Sequence, residues 1–212
     1  MNSSLILKAI PVINEGSLSF DDFALATGLG RQTSIELIRL LERNEIGYVD
    51  SDFIGFGQLD KMRTAMLALK MGVDVEEISK MLSWKDFELL ATSILDASGY
   101  VAHHSFRLKK PRIEIDVVGI KDGMALLVDC KHWKRSSPSE MARFGSMQII
   151  RAEAFVRARK GEVELAVPAI LTLHPESITF ADDVPVIPII KLRSFLNEMQ
   201  GYLNEIKVVS HA

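Results

Sequence analysis

Glu114, Asp116, Asp129 and Lys131 have the types and the spacing to do chemistry together. They lie within one stretch, Arg112 to Lys131, that reads RIEIDVVGIKDGMALLVDCK. Two apolar, strand-like runs flank the polar break Lys121-Asp122-Gly123. Side chains alternate along a strand, so Glu114 and Asp116 share a face, as do Asp129 and Lys131. Asp122-Gly123 is a hairpin turn signal. Pairing the two runs brings three carboxylates and a lysine to one end of a sheet. Carboxylates that converge repel one another unless cations sit among them, and hard divalent cations favour such oxygen ligands.

The elements that must hold these groups follow from local signals. Ser83 caps a helix from Trp84 to Ala97, with Phe87, Leu90, Ala91 and Ile94 as its apolar stripe and Glu88 beside that stripe. Gly99 ends the helix, and a strand begins over Tyr100–Phe106 before the hairpin. After the hairpin come the polar loop Ser136-Ser137-Pro138-Ser139 and a helix from about Glu140 to Lys160 that carries Gln148 and Arg151 one turn apart. Leu165–Leu173 and Val184–Ile190 are strand candidates, the second limited by Pro185 and Pro188. Leu192–Leu203 closes the chain as a helix. The order α-β-β-β-α-β-β-α implies an α/β fold with a mixed sheet flanked by helices over residues 84–212.

The N-terminal part has a different pattern. Ser4–Asn14 is apolar enough for a helix, with Pro11 as a kink or a stop. Ser19 caps a second helix that buries Phe20, Phe23 and Ala24. Gly28-Leu29-Gly30 is a turn. Arg31–Arg43 repeats Ile35, Ile38 and Leu41 at helical spacing, broadened by Leu37 and Leu40. Ile46–Val49 and Phe53–Phe56 are short strands about an Asp50-Ser51-Asp52 turn. Three helices and a hairpin over residues 1–57 resemble a winged helix-turn-helix, a mainly helical module. The start of its third helix, Arg31-Gln32-Thr33-Ser34, has donors suited to a DNA groove, but its wing is acidic, so protein contact or dimerisation competes with DNA contact as its role. Residues 58–83 connect the two parts: a helix over Leu59–Met71 with Met62, Met66 and Leu69 on one side, then a second over Val75–Leu82 capped by Asp74 with Glu77.

Bulk properties narrow the class. Of 212 residues, 48% are hydrophobic and 25% charged, as in ordinary globular chains. One cysteine excludes a disulfide framework and a cysteine zinc cluster. Cys130 is expected as a small buried hydrophobe on the face opposite Asp129 and Lys131. The five histidines lack zinc-like spacing, and His103-His104 is expected at a strand edge with one ring packed and one wet. A secretory n-region and any apolar run near 20 residues are missing, so a cytoplasmic protein without a membrane span is expected. Net charge is −3, unevenly spread: residues 1–83 hold 8 Lys and Arg against 12 Asp and Glu, and residues 84–212 hold 17 against 16. Within residues 103–135, Arg107, Lys109, Lys110, Arg112, Lys121, Lys131, Lys134 and Arg135 outnumber four acidic residues, a setting that favours a polyanion near the carboxylates.

Phe87-Glu88, Gly99-Tyr100, Glu114-Ile115-Asp116-Val117 and Asp129-Cys130-Lys131 together resemble the PD-(D/E)XK nuclease superfamily, the restriction-endonuclease-like fold, and most of all its Mrr-type members, over about residues 84–195. The resemblance implies a Mg²⁺-dependent endonuclease acting on DNA, with Mn²⁺ as a substitute. It implies Asp116 and Asp129 as metal ligands, Lys131 as the group that positions or activates water, and Glu88 as the glutamate completing the metal shell. Glu114, Gln148 and Arg151 are expected around that shell. Arg107, Lys109, Lys110, Arg112, Lys134 and Arg135 are the expected nucleic-acid contacts. Cutting both strands favours a homodimer, with the Met-bearing helix Leu59–Met71 as its expected face. Ile115 stands where Pro is usual, Asp129 where Glu is commoner, and Ala152 where a Gln-xxx-Tyr pattern has Tyr. The Asp129 departure and the acidic N-terminal module point to the alternative, a catalytically inactive nuclease-fold protein that binds nucleic acid or regulates.

Overall fold

The computed structural model describes residues 3–74, 77–78, 80–131, 137–173, 175 and 177–211. The chain divides into two compact units, Met1–Asp86 and Phe87–Ala212. No helix among the described residues is long and apolar enough to cross a membrane.

The first unit contains α1 (Ser3–Ala9), β1 (Gly16–Ser19), α2 (Phe20–Thr27), α3 (Arg31–Arg43), β2 (Tyr48–Asp50), β3 (Phe53–Phe56) and α4 (Asp60–Lys70). Ser19 caps α2 by accepting the Asp22 N–H at 3.0 Å, and Gly28 ends the helix with φ 63°. The three strands form an antiparallel sheet in the order β1-β3-β2. β1, Gly-Ser-Leu-Ser, was not legible as a strand: it has one apolar residue and owes its conformation to pairing with β3. The first helix ends at Ala9 rather than Asn14, because Pro11 lacks an N–H and disfavours helix before it. The buried stripe of α3 centres on Leu37, Ile38 and Leu41, with Ile35 only half-buried. In α4, Met62, Ala65 and Ala68 are core residues, so Met62 is unavailable to an intersubunit face. The helix expected over residues 75–82 falls partly on Val75, Glu76 and Ser79, outside the described residues.

The element that leads into the second unit is α5 (Trp84–Ala97); Ser83 and Asp86 cap it reciprocally, Ser83 N–H to the Asp86 carboxylate at 2.8 Å and Asp86 N–H to Ser83 Oγ at 3.2 Å. Next come β4 (Val101–Leu108), β5 (Ile113–Lys121), β6 (Met124–Lys131), α6 (Pro138–Ala158), β7 (Leu165–Thr172), β8 (Phe180–Ala181), β9 (Val184–Pro188), a 3₁₀ turn, α7 (Leu192–Tyr202) and β10 (Val209–Ser210). The seven strands form one mixed sheet in the order β4-β5-β6-β7-β9-β8, with β10 beside β7. β4, β5 and β6 are antiparallel neighbours; β6, β7 and β9 run parallel. This is the α/β, helix-flanked mixed sheet expected from the sequence.

Asp122 and Gly123 both have positive φ, 49° and 75°, as the two-residue turn joining β5 to β6 requires. β6 is buried from Met124 to Asp129, which accounts for its unbroken apolar run. The crossover from β6 to the parallel β7 is α6, whose Ala152, Phe155 and Val156 pack with Val118, Leu127 and Ala166. Nearer its start, Met141 packs with Ile170, Ala181, Val184 and Val186. Gly145 permits that approach, since a Cβ there collides with the Ala181 backbone carbonyl. The hairpin Ala181–Val184 therefore sits tightly on α6, and Ser146 Oγ donates to the Asp182 carboxylate at 2.7 Å.

α6 starts with a capping box. Ser137 Oγ accepts the Glu140 N–H at 3.3 Å, and the Glu140 carboxylate accepts the Ser137 N–H at 2.9 Å. Hydrogen bonds from Ser137, backbone first and hydroxyl second, hold the Glu140 pKa below its ordinary value. A depressed carboxylate stabilises the fold above its unfolded pKa and loses that contribution as pH falls through the folded one. Glu140→Ala is therefore expected to melt below wild type at pH 7, with the gap closing under pH 4.5. Paired melts by circular dichroism between pH 7 and pH 3 test this; a gap independent of pH refutes the capping role of the carboxylate.

Candidate functional site

The site sits where β5 and β6 part. Their register runs from Lys121↔Met124 to Val117↔Val128 and stops, while β6 stays paired with β7 as far as Lys131↔Thr172. Beyond Val128 the place of a β5 partner is taken by a side chain: Asp116 Oδ2 accepts the Cys130 N–H at 2.7 Å. On the other side of β5, the register passes from His104↔Val117 to Phe106↔Ile115, which leaves Ser105 opposite Asp116. Ser105 has φ 49°. The left-handed region costs a non-glycine residue about 1–2 kcal/mol, and such strain concentrates at functional positions.

Asp129 and Lys131 share a face, as strand alternation predicts, and that face looks toward α6. Asp129 is 3% exposed. Its Oδ2 pairs with Lys131 Nζ at 2.6 Å and its Oδ1 with an Arg151 guanidinium N–H at 2.9 Å. The same Arg151 nitrogen donates to Gln148 Oε1 at 3.1 Å, and Gln148 Nε2 donates to the Leu127 carbonyl at 2.9 Å. Lys131 Nζ also lies 4.7 Å from the centre of the Phe144 ring, a cation–π contact. Gln148 and Arg151 were foreseen beside the carboxylates. Phe144 was not, although Phe144, Gln148 and Arg151 stand at i, i+4 and i+7 on one face of α6.

Glu88 is 4% exposed rather than a solvated helix residue. Its Oε2 accepts from Ser105 Oγ at 3.2 Å. The Cys130 side chain joins the two sides of the site. Burial, then the charges of Asp116, Glu88 and Asp129, push its thiol pKa well up, so it stays protonated. Cys130 is half-buried, and its environment is more acidic than the apolar pocket expected from the sequence.

Asp116 is also raised from its ordinary value, first by burial and then by the charge of Asp129; the Cys130 N–H, Lys131 and Arg151 act in the opposite direction. This repulsion is what a divalent cation relieves. Two carboxylates fit Mg²⁺ in kind, since it takes one or two of them and completes its shell with water and phosphate oxygens. Among the described residues, no three His, Cys, Asp or Glu groups converge closely enough to form a full protein cage. Glu88 accepts from Ser105 Oγ and acts with Asp116 and Asp129 on the Cys130 thiol.

The remaining expected residues lie apart from this centre. Glu114 is exposed and pairs across the strands with Arg107 at 3.3 Å instead of joining Asp116. Arg107, Lys109 and Arg112, with Leu108, Ile113 and Glu114, line a groove of about 640 Å³ at the end of the β4–β5 hairpin; Lys110 is exposed in the same loop. Lys134 and Arg135 lie outside the described residues, as does His132. His103 and His104 are both exposed on the edge strand β4, with the His103 ring 6.4 Å from that of Phe106 and tilted against it.

No family model matches the chain. Over 128 residues it is 29% identical to an uncharacterized protein of Archaeoglobus fulgidus, covering 58% of this chain and 97% of that one. Among solved structures it is similar to protein VC1899 from Vibrio cholerae, with TM-score 0.38 and 13% identity over 96% of this chain and 52% of that one. It is also similar to a protein of unknown function, AF1548, with TM-score 0.38 and 17% identity over 56% of this chain and 66% of that one. A third likeness is to the small subunit of the heterodimeric restriction endonuclease R.BspD6I, with TM-score 0.35 and 16% identity over 57% and 72% of the two chains. The chain spans about half the length of the Vibrio cholerae protein.

The ion pairs make Asp129 a structural element as well as a chemical one. Removing its carboxylate leaves Lys131 and Arg151 adjacent without their counter-ion. Breaking a fully buried pair costs about 3–5 kcal/mol, and the partial exposure of Lys131 and Arg151, 16% and 25%, reduces this to about 1–3 kcal/mol. Asp129→Ala is expected to lower stability by that amount in urea unfolding without added divalent cation; an unchanged midpoint refutes the pairing.

Proposed function

We propose that the chain is a metal-dependent endonuclease that hydrolyses DNA phosphodiester bonds at the β5–β6 fork. The observation that carries this reading is the meeting of two electrostatically coupled carboxylates, Asp116 and Asp129, with the ammonium of Lys131 at the end of two diverging strands. Asp116 and Asp129 would hold Mg²⁺, or Mn²⁺ in its place, and Glu88 would support the cluster from α5. When bound, the cation supplies charge stabilisation for a phosphodiester transition state and makes attacking water more acidic.

The protein groups divide the remaining work. Asp129 and Phe144 hold Lys131 Nζ in one place, so the ammonium meets developing negative charge or an attacking water without reorganising. Asp116 is held through its Oδ2 by the Cys130 N–H, which leaves its other oxygen for the cation in this reading. Arg107, Lys109, Lys110 and Arg112 form the electrostatic track for the DNA backbone. The reading places the protein in the cytoplasm as a homodimer, whose two-fold axis relates two sites to the two strands of a duplex. A monomeric mass by light scattering at micromolar concentration refutes the dimer.

A second reading has its own observation. Both oxygens of Asp129 already have cationic partners within the chain, and no third ligand converges on the pair among the described residues. That arrangement also suits a nuclease-fold protein that binds nucleic acid without cutting it.

The deciding experiment is a cleavage assay on linear, supercoiled and branched DNA with Mg²⁺ or Mn²⁺. Wild type is expected to cut only with metal, and Asp116→Ala and Lys131→Ala to lose activity by about 10²-fold or more. No cutting on any substrate, with binding unchanged in both variants, refutes the nuclease reading and leaves the binding protein.

A further inference from the structure

We infer that Arg151 is a place-holder for the divalent cation: its guanidinium occupies the Asp129 oxygen that the cation takes, and it must leave before the cation binds. This rests on the reading of Asp116 and Asp129 as metal ligands.

Asp129 already divides its oxygens between two cations, Lys131 at 2.6 Å and Arg151 at 2.9 Å, and the same two cations act on Asp116, while Glu88 is a third carboxylate near Cys130. A divalent cation entering beside Asp116 and Asp129 would meet two positive charges a few ångströms away in a poorly solvated site, where like charges repel strongly. One chain cation has to withdraw, and the structure distinguishes them. Lys131 is the more buried at 16% exposure, comes from the same strand as Asp129 and is covered by Phe144. Arg151 is 25% exposed and reaches the site from a separate element, α6.

Arg151 is not at Asp129 by accident. Gln148 is fully buried, and its donation to the Leu127 carbonyl turns its own carbonyl oxygen toward the guanidinium. The sheet thereby fixes Gln148, and Gln148 guides Arg151. Once displaced, the guanidinium stands beside the site with its donors free, placed to take an anionic substrate oxygen bidentately. The cation-free protein is thus kept from carrying an unneutralised carboxylate pair, at the cost of weaker cation binding.

The test is Mn²⁺ binding to the full chain without DNA, by titration calorimetry and by loss of the free Mn²⁺ paramagnetic resonance signal. Wild type, Asp129→Ala, Arg151→Met and Arg151→Gln are compared, with folding checked by circular dichroism. Arg151→Met is expected to bind Mn²⁺ about tenfold more tightly than wild type, Arg151→Gln likewise, and Asp129→Ala to lose binding. Binding by wild type that is unchanged or weakened in both Arg151 variants overturns the place-holder and leaves the metal site standing. No Mn²⁺ binding by wild type or by either Arg151 variant overturns both the place-holder and the metal reading. A merely structural arginine would not tighten binding when removed.

Discussion

The parting of β5 from β6 after Val117 and Val128 is the constraint on which the site depends. Continued pairing would set Asp116 opposite Asp129 in a closed ladder, with backbone groups satisfied and no space between the strands. The fork leaves the Cys130 N–H without a backbone partner from β5, and a buried amide cannot go unpaired cheaply. Asp116 supplies the acceptor. The same hydrogen bond that satisfies the sheet fixes one oxygen of that carboxylate at the fork. β6 tolerates the loss of one neighbour because its pairing with β7 continues through Lys131. The parallel side of the mixed sheet therefore holds the strand while the antiparallel side opens.

Electrostatics then decide what the fork contains. Asp129 is nearly inaccessible to water and would be costly as an isolated charge, so the chain supplies cations from two directions. Lys131 comes from two residues along the strand and Arg151 from the crossover helix. α6 can deliver Arg151 because Gly145 lets the helix settle close to the β8–β9 hairpin, and because the capping box at Ser137 and Glu140 fixes where the helix begins. One face of α6 then presents Phe144, Gln148 and Arg151 to β6. Packing and charge neutralisation select the same helix position, which is the kind of consistency across levels that specifies one structure.

Much of this was legible from local chemistry. Asp122-Gly123 requires two positive φ angles and takes them; the strand period pairs Asp129 with Lys131; Ser83 and Ser19 mark helix starts where their hydroxyls can accept backbone N–H groups, whereas α6 starts at Pro138, ahead of the expected Glu140, because Ser137 caps it. What escaped depends on long-range pairing. β1 has no apolar alternation of its own, and only β3 makes it a strand. Alternation puts Glu114 on the face of Asp116, but Arg107 on the neighbouring strand captures it. Asp60 in the first unit is a mixed case: its carboxylate accepts the N–H of Gly57 at 2.8 Å and pairs with Arg63 at 3.2 Å, both three residues away, and it also accepts from the distant Gly47 N–H at 3.1 Å. Glu88 follows this pattern, since one of its partners, the Ser105 hydroxyl, belongs to β4. A buried charge is illegible in sequence when its partner is distant.

The first unit is shaped against phosphate. Its β2–β3 turn carries Asp50 and Asp52 and lacks Lys and Arg, while Arg31, at the start of the helix that would enter a groove, is paired with Asp21 at 2.9 Å. A cation already paired to a carboxylate has less to offer a phosphate, and the acidic turn repels one. The outer face of the same small sheet exposes Tyr48 and Phe53, at 64% and 53%. The cross-strand register sets Tyr48 opposite Gly55 and Asp50 opposite Phe53, so both aromatics belong to one face. Exposed aromatics beside acidic groups are features of a protein-contact surface more than of a DNA-reading wing. Within the described residues, the basic cluster of Arg107, Lys109, Lys110 and Arg112 lies in the second unit, at the end of the β4–β5 hairpin whose second strand carries Asp116.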